Sequence, residues 1–186
     1  LVPYVQNAEE AQRAVVSVRY PPAGIRGVAS STRANHYGRV NNYLKLSDSE
    51  ICLLVQVETR SALGELEAIA AVEGVDGVFI GPSDLAASLG HIGNPAHPDV
   101  QWALEDAVKR LKAVGKPAGI LTLNEEEARR YIGWGYVFVA VGSDIGLHAN
   151  FLDQDEARRM FTSIDMHSAG VLPVTGHAER VPGGYR

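Results

Sequence analysis

The chain has 186 residues, of which 46% are hydrophobic and 21% are charged, and its formal net charge is −5. This length supports one hydrophobic core but not two ordinary domains. The acidic balance and the lack of a strong Lys/Arg cluster argue against nucleic acid as a partner. No apolar run approaches the ~18 residues of a membrane span, and no signal-peptide pattern opens the chain, so we expect no membrane association.

Strand-like and helix-like periodicities alternate along the sequence. The strand-like runs cover residues 1–5, 51–58, 75–80, 117–121 and 137–142. Helices are predicted after Asn7 and near residues 60–72, 98–114, 125–132 and 145–163, with a short helix opened by Ser83 and Asp84. This alternation is typical of an α/β fold with a parallel sheet. Periodicity alone does not separate an open sheet from part of a barrel.

Two pairs of residues have the spacing of a helix capping box. Asn7 stands three residues before Glu10, and Asn124 stands three residues before Glu127. In this motif the first side chain accepts a hydrogen bond from the backbone N–H of the second residue, which fixes the start of a helix. Helices are therefore predicted to begin directly after Asn7 and Asn124.

Two segments lack regular periodicity. Residues 20–44 form a long irregular stretch, and loops of this length in compact domains are usually functional or interfacial. Residues 164–186 contain Gly, Pro and Thr breakers, and we expect an extended tail or an arm that contacts another subunit. Residues 1–163 are predicted to form one structural unit. Cys52 is the only cysteine and lies in an apolar run, so an inert buried thiol and a reducing, cytoplasmic setting are expected.

Two carboxylates follow successive strands of the predicted sheet. Glu58 ends the run 51–58, and Asp84 comes shortly after the run 75–80. The carboxyl ends of parallel strands meet at one edge, where barrel and doubly wound enzymes place their chemistry. Because hard oxygen ligands are those that divalent metals prefer, Glu58 and Asp84 are the candidate metal ligands. The structural alternative for Glu58 is a salt bridge with Arg60 or a helix cap.

Residues beside the two carboxylates are candidates for substrate binding. Gln56 shares a strand face with Glu58 and is placed to hydrogen-bond a substrate or the waters of a metal, although for Gln56 alone a structural role is the more common one. Ser83 and Asp84 open a helix, where each is a possible N-cap. Their backbone N–H groups also suit a carboxylate. A 2-oxo acid carries both a carboxylate and an oxygen pair for a metal.

Other polar residues give weaker signals. His91 and His97 flank a turn, where surface or loop-packing roles are expected rather than zinc binding. Ser143 and Asp144 follow the last strand-like run, and either caps the next helix or faces the same edge of the sheet. Arg26 and Arg33 lie in the long irregular stretch, within reach of an anionic substrate or simply solvated.

Several segments resemble the metal-dependent pyruvate aldolases of the HpcH/HpaI family. They are VQVETR (55–60), GVDGVFIGPSDLAASLGHIGNPAHPDVQ (74–101), KPAGIL (116–121), FVAVGSD (138–144), RYPPAGIRGV (19–28) and TRAN (32–35). The resemblance covers roughly residues 1–150. It implies a (β/α)8 barrel of which this chain supplies strands four to eight, because in members of the family strand four begins where this chain begins and about 90 residues precede it.

The resemblance also implies an activity. Members cleave 2-keto-3-deoxy sugar acids or related 4-hydroxy-2-oxo acids to pyruvate and an aldehyde through a metal-stabilised pyruvate enolate. Glu58 and Asp84 would bind Mg²⁺, Mn²⁺ or Co²⁺, Gln56 would act beside pyruvate, and the amides of Ser83 and Asp84 would hold its carboxylate. Members form homo-oligomers, commonly hexamers. The catalytic His and the pyruvate-binding Arg would precede Leu1.

Two alternatives to the aldolase remain open at this point. One is a lyase of the same barrel superfamily that acts on acyl-CoA thioesters, which would require a basic and apolar groove for CoA. The other is a non-catalytic remnant that binds a metal and oxo acids without turnover.

Overall fold

The computed structural model describes residues 1–143, and the predicted helix 145–163 and the tail 164–186 lie outside the described residues. The helices are α1 (Ala8–Val18), α2 (Tyr43–Glu50), α3 (Arg60–Gly64), α4 (Leu66–Ala70), α5 (Pro82–Ser88), α6 (Pro98–Ala113) and α7 (Glu125–Trp134). The strands are β1 (Leu54–Val57), β2 (Gly77–Ile80), β3 (Ala118–Leu121) and β4 (Phe138–Ala140), and a short 3₁₀ turn covers Arg33–Asn35.

The four strands form one parallel sheet in the order β1-β2-β3-β4. Each neighbouring pair is joined by at least one helix on the chain between them, as parallel pairing requires. The predicted α/β class is therefore confirmed. All four strands end at the same edge of the sheet, and the residues that follow them are brought together there.

Residues 1–5, here called the opening segment, add only a bridge to this sheet. Val2 pairs with Val55 in parallel, and its N–H and C=O bond to Leu54 and Gln56. Pro3 has no N–H to continue the ladder, and Tyr4 has a φ of 60° that turns the chain away from strand geometry. The predicted first strand is thus reduced to one bridge.

One face of the sheet is packed against helices. The buried strand residues on this face include Val55, Val57, Val78, Ile80 and Ile120, and α6 contacts both β2 and β3. The opposite face carries the row in which Gln56 pairs with Phe79, Phe79 with Gly119, and Gly119 with Phe138. Because side chains alternate along a strand, Glu58 falls on the face of Gln56.

The ends of the helices follow the sequence signals. The side chain of Asn7 accepts from Glu10 N–H at 2.9 Å, and that of Asn124 accepts from Glu127 N–H at 3.0 Å. Both predicted helix starts are therefore confirmed. The Glu10 side chain bonds to Gln6 N–H rather than to Asn7 N–H, so this capping box is displaced by one residue.

Three local predictions were wrong. The helix expected over 60–72 is divided at Glu65 into α3 and α4. Helix α2 was not predicted, and it begins inside the stretch expected to be irregular. Its one buried residue is Ser47, so it has no apolar face of the kind that produces a helical periodicity in the sequence. Cys52 is exposed and lies before β1, which begins at Leu54. Partial burial, followed by the charge of Asp76, raises the pKa of the Cys52 thiol, which disfavours the reactive thiolate.

Within residues 1–143 no helix is both long enough and apolar enough to cross a membrane. The longest, α6, has 16 residues. Its buried side is tied to the rest of the fold by polar contacts as well as apolar ones. Arg110 on α6 binds both carboxylate oxygens of Glu67 on α4, each at 2.6 Å, and Tyr136 donates to the Leu104 carbonyl at 2.8 Å.

The hydrogen bond from Tyr136 joins α6 to the segment just before β4, and its removal tests the packing between them. Tyr136 is 2% exposed, and burial raises the pKa of its hydroxyl, so it remains a donor over the whole accessible pH range. We expect Tyr136→Phe to lower the free energy of unfolding in urea by about 0.5–1.5 kcal/mol. Tyr37→Phe is the control, because Tyr37 is 68% exposed, and it should change the free energy little. Equal effects would contradict this account.

Candidate active site at the carboxyl edge of the sheet

Glu58 is the buried acid at the carboxyl edge of the sheet. It follows β1 directly and is only 3% exposed. Thr59, the next residue, is the N-cap of α3, and its side chain accepts from Ala62 N–H at 3.1 Å. Glu58 is therefore held between the end of a strand and the start of a helix, in a place where the backbone has little freedom.

Both carboxylate oxygens of Glu58 accept hydrogen bonds. Tyr4 N–H donates to Oε1 at 2.9 Å, and Gln56 Nε2 donates to Oε2 at 2.6 Å. Gln56 thus lies beside Glu58 as the strand alternation predicted, with its amide directed at the carboxylate. Each carboxylate oxygen has two lone pairs, so one on each remains for a further partner.

Asp84 lies in the first turn of α5, the helix that follows the neighbouring strand β2. Helix α5 is capped by Gly81 and has Pro82 at its first position, so neither Ser83 nor Asp84 is its N-cap. The structural alternative for these two residues was therefore wrong. Both are exposed, and their amides precede the first helical hydrogen bond, from Leu85 N–H to Gly81 C=O.

The charge of Asp84 reaches Glu58. Burial raises the pKa of the Glu58 carboxyl above its ordinary value of 4.5, the Tyr4 N–H opposes this shift, and the negative charge of Asp84 adds to it. Two acids that repel in this way are unfavourable unless a cation lies near them. The negative charge of Asp84 therefore adds to the cost of ionising Glu58.

The described part of the chain supplies no cationic side chain to Glu58. Among residues 1–143, no Lys or Arg forms an ion pair with Glu58 or Asp84. Arg60, the expected structural partner, is exposed, and its backbone N–H bonds to Ser88 Oγ at 2.9 Å. The salt-bridge alternative for Glu58 was therefore wrong.

The donor set suits a hard divalent cation. A buried carboxylate and an exposed one at the same edge offer only oxygen ligands, which Mg²⁺ and Mn²⁺ accept. The hydrogen bonds to Glu58 come from an amide N–H and a side-chain NH₂, the kind of outer contacts that orient a ligating carboxylate. A bound cation would offset the repulsion between Glu58 and Asp84.

His91, His97 and Asp99 form a second polar cluster, which caps a helix. His97 accepts from Asp99 N–H at 3.2 Å at the start of α6, and His91 Nε2 lies 3.2 Å from Asp99 Oδ2. The two imidazole rings stack with centroids 3.5 Å apart and planes 14° apart. A ring nitrogen of each histidine and a carboxylate oxygen of Asp99 lie within 4.8 Å of one another. Because His97 Nδ1 accepts from Asp99 N–H and His91 Nε2 lies beside Asp99 Oδ2, the described contacts are those of helix capping and of the loop packing that the sequence predicted.

The long loop also uses its polar residues internally. Arg26 lies over the ring of Tyr20, with 4.5 Å from its guanidinium carbon to the ring centroid, and donates to Tyr43 Oη at 3.1 Å. Asn35, which is 3% exposed, accepts from Thr32 N–H and Gly38 N–H. Sequence reasoning missed Asn35, although its place in the TRAN motif marked the segment. Arg33 belongs to the 3₁₀ turn.

Two remaining features do not include Glu58. A groove of about 310 Å³ is lined by the opening segment and α1, including Tyr4, Arg13 and Ser17, and Glu58 does not line it. Ser143 ends the described residues, and Asp144 lies outside them, so their predicted role at the sheet edge stays a prediction. The candidate site is therefore the Glu58 and Asp84 pair with Gln56 and Ser83 beside it.

A comparison with known families identifies the family of the chain. The sequence pattern of the HpcH/HpaI aldolase/citrate lyase family matches residues 1–150. The chain belongs to this family. The match includes every described residue of the candidate site.

Two relatives are similar to most of this chain. A pyruvate aldolase from Rhizobium etli is 64% identical over 149 residues, which are 80% of this chain and 59% of the relative. A 5-keto-4-deoxy-D-glucarate aldolase from Escherichia coli is 56% identical over 147 residues, which are 79% of this chain and 57% of the relative. The chain thus spans less than two thirds of the length of these relatives.

A solved structure gives the same picture for the fold. A HpcH/HpaI aldolase/citrate lyase family protein from Burkholderia cenocepacia superposes with a TM-score of 0.73 at 38% sequence identity. The superposition covers 84% of this chain and 63% of that protein. The parallel sheet and its helices are therefore those of the family.

The raised pKa of Glu58 predicts a pH dependence of stability. In the folded chain this carboxyl binds its proton more tightly than in the unfolded chain, whose value is near 4.5. Stability therefore falls as pH rises from below 4.5 through the folded pKa, and then levels off. In EDTA we expect the wild type to lose stability relative to Glu58→Gln over this range.

Urea unfolding of both proteins at a series of pH values measures this difference. The Glu58→Gln variant is the reference, because its amide does not titrate and every other group is shared. Parallel stability curves would show that the folded chain already compensates the charge of Glu58 without a metal.

Proposed function

We propose that Glu58 and Asp84 hold a divalent cation and that the chain contributes this centre to a metal-dependent aldolase. The observation that carries the proposal is the burial of Glu58 beside Asp84 with no cationic side chain from residues 1–143. The parallel sheet is then part of a (β/α)8 barrel, to which this chain gives strands four to eight. At the carboxyl edge of such a barrel the loops carry the catalytic groups.

The proposed reaction divides a 4-hydroxy-2-oxo acid into pyruvate and an aldehyde. A base removes the proton of the 4-hydroxyl, the C3–C4 bond breaks, and its electron pair passes to the oxo-acid fragment, which then takes up a proton. When bound, a divalent cation supplies Lewis-acid stabilisation of the negative charge that develops on this fragment.

The residues of this chain have separate parts in that reaction. Glu58 and Asp84 bind the cation, which is Mg²⁺, Mn²⁺ or Co²⁺. Gln56 holds the Glu58 carboxylate and lies on the face that the substrate approaches. The backbone N–H groups of Ser83 and Asp84, which precede the first helical bond of α5, receive the carboxylate of the oxo acid.

The names of the relatives support this substrate class. One is called a pyruvate aldolase and another a 5-keto-4-deoxy-D-glucarate aldolase, at 64% and 56% identity. We therefore propose a 2-keto-3-deoxy sugar acid as the substrate. We also propose a homo-oligomer as the active assembly, which the resemblance to the HpcH/HpaI family implies. Retro-aldol turnover would separate this function from a chain that binds metal and oxo acid without reaction.

Asp84→Asn tests the metal ligand. Asparagine keeps the size of the side chain and removes its negative charge, so metal affinity and retro-aldol rate should fall together. A cation contributes several kcal/mol to such a transition state, so we expect a loss of at least about a hundredfold in kcat/KM. The measurement is pyruvate release from 5-keto-4-deoxy-D-glucarate by the full-length protein across a Mg²⁺ titration.

Ser83→Ala is the matched control one residue away on α5. The proposed contribution of Ser83 is a backbone N–H, which alanine retains, so its kcat/KM should change far less than that of Asp84→Asn. Wild-type turnover in Asp84→Asn would remove Asp84 from the metal centre. Metal binding by the wild type without pyruvate release would favour the non-catalytic alternative.

A further inference from the structure

We propose that Gly81 and the backbone of Tyr4 are positioning residues that fix the carboxylate of Glu58. Gly81 supplies the space in which the carboxylate lies, and Tyr4 supplies the N–H that orients it. The inference rests on the proposed function only in taking Glu58 as a metal ligand. Neither residue contacts the cation or the substrate in this proposal.

Gly81 is the position opposite Glu58 on the neighbouring strand. Gln56 pairs with Phe79 and Val57 with Ile80, so the next step of the same register places Glu58 beside Gly81. The hydrogen bond from Gly81 N–H to Val57 C=O, at 3.2 Å, continues the ladder to this point. Glu58 and Gly81 therefore share one face of the sheet, where side chains of adjacent parallel strands compete for space.

The carboxylate of Glu58 fills the volume that a side chain at position 81 would need. A Cβ on Gly81 would overlap Glu58 Oε2, and it would lie 2.8 Å from Glu58 Cβ and 3.1 Å from Gln56 Nε2. The overlap with Glu58 Cβ is not relieved by a rotation at the end of the side chain. The backbone of Gly81 has φ −93° and ψ 101°, which alanine also adopts, so space alone requires glycine here.

Tyr4 orients the other carboxylate oxygen through an unusual backbone conformation. Its φ is 60°, in the left-handed region that non-glycine residues seldom occupy, and its N–H donates to Glu58 Oε1 at 2.9 Å. The Tyr4 side chain is 58% exposed, so packing of the ring does not explain the conformation. Strain of this kind persists where the surrounding structure over-determines it, often at a functional site.

The opening segment is anchored for this purpose on both sides of Tyr4. Val2 pairs with Val55 before it, and Val5 N–H donates to Gln56 C=O at 3.0 Å after it. Farther along, Thr59 Oγ1 donates to Gln6 Oε1 at 2.6 Å. Tyr4 N–H is thus fixed relative to the end of β1, and it meets the carboxylate that Gly81 admits.

Gly81→Ala tests the space. We expect Mn²⁺ affinity to fall by at least roughly tenfold, the lower range for loss of an outer contact that orients a ligand. Isothermal titration of the full-length protein with Mn²⁺ measures the affinity, and thermal unfolding measures stability. Gly77→Ala is the control, since Gly77 lies on β2 and on the same face of the sheet as Gly81, and its Cβ would crowd Leu54 Cδ2 at 2.9 Å. It should lower stability and leave Mn²⁺ affinity unchanged.

Tyr4→Val and Tyr4→Gly test whether the positive φ of Tyr4 positions its N–H for Glu58. Valine disfavours positive φ and glycine accepts it, so Tyr4→Val should weaken Mn²⁺ binding severalfold more than Tyr4→Gly. Tyr37→Val is the matched control, because Tyr37 has a φ of 58° and lies in the long loop. It should leave Mn²⁺ affinity unchanged. Tyr4 is exposed and its variants are expected to fold, so this pair decides the positioning role of Tyr4 even if Gly81→Ala unfolds.

Glu58→Gln distinguishes a failure of the proposed metal site from a failure of the positioning roles of Gly81 and Tyr4. Unchanged Mn²⁺ affinity in Glu58→Gln would remove Glu58 as a ligand, and with it the proposed function. Loss of binding in Glu58→Gln, together with wild-type affinity in folded Gly81→Ala and Tyr4→Val, would overturn only the positioning roles. The geometry requires that Mn²⁺ binding be weakened in both Gly81→Ala and Tyr4→Val. The Mn²⁺ affinities of Gly77→Ala and Tyr37→Val should be unchanged.

Discussion

The carboxylate of Glu58 is the group on which the arrangement of the site depends. Placing an acid at 3% exposure costs free energy, because burial disfavours its charged form. The fold meets this cost only in part, with hydrogen bonds from Tyr4 N–H and the Gln56 amide. The remaining charge, increased in effect by Asp84, is what a divalent cation would neutralise. We propose a metal centre here because the hydrogen bonds compensate the charge of Glu58 only in part.

The parallel sheet explains why these groups meet. Its strands all run in one direction, so the residues after β1 and β2 emerge at one edge although they are separated along the chain. The helical layer buries one face through Val57, Ile80 and their neighbours, and leaves Gln56 and Glu58 on the other. Packing of the core and presentation of the site are thus two consequences of the same strand alternation.

Membership of the HpcH/HpaI family and the local geometry support the proposal from different directions. The family match covers residues 1–150 and therefore all of the described structure. It accounts for the parallel sheet and its helices, but a family match does not by itself explain why position 81 is glycine or why Tyr4 has a positive φ. Those two features follow from the contacts with Glu58.

The sequence by itself determined the α/β class, the helix starts after Asn7 and Asn124, and the pair of Glu58 and Asp84 at one edge. Each of these depends on neighbours within a few residues or on alternation along one strand. Tertiary structure decided that Gly81 faces Glu58, that Tyr4 donates to it from 54 positions away, and that Cys52 is exposed. Contacts between distant segments leave no periodic trace in a sequence, so only the folded chain shows them.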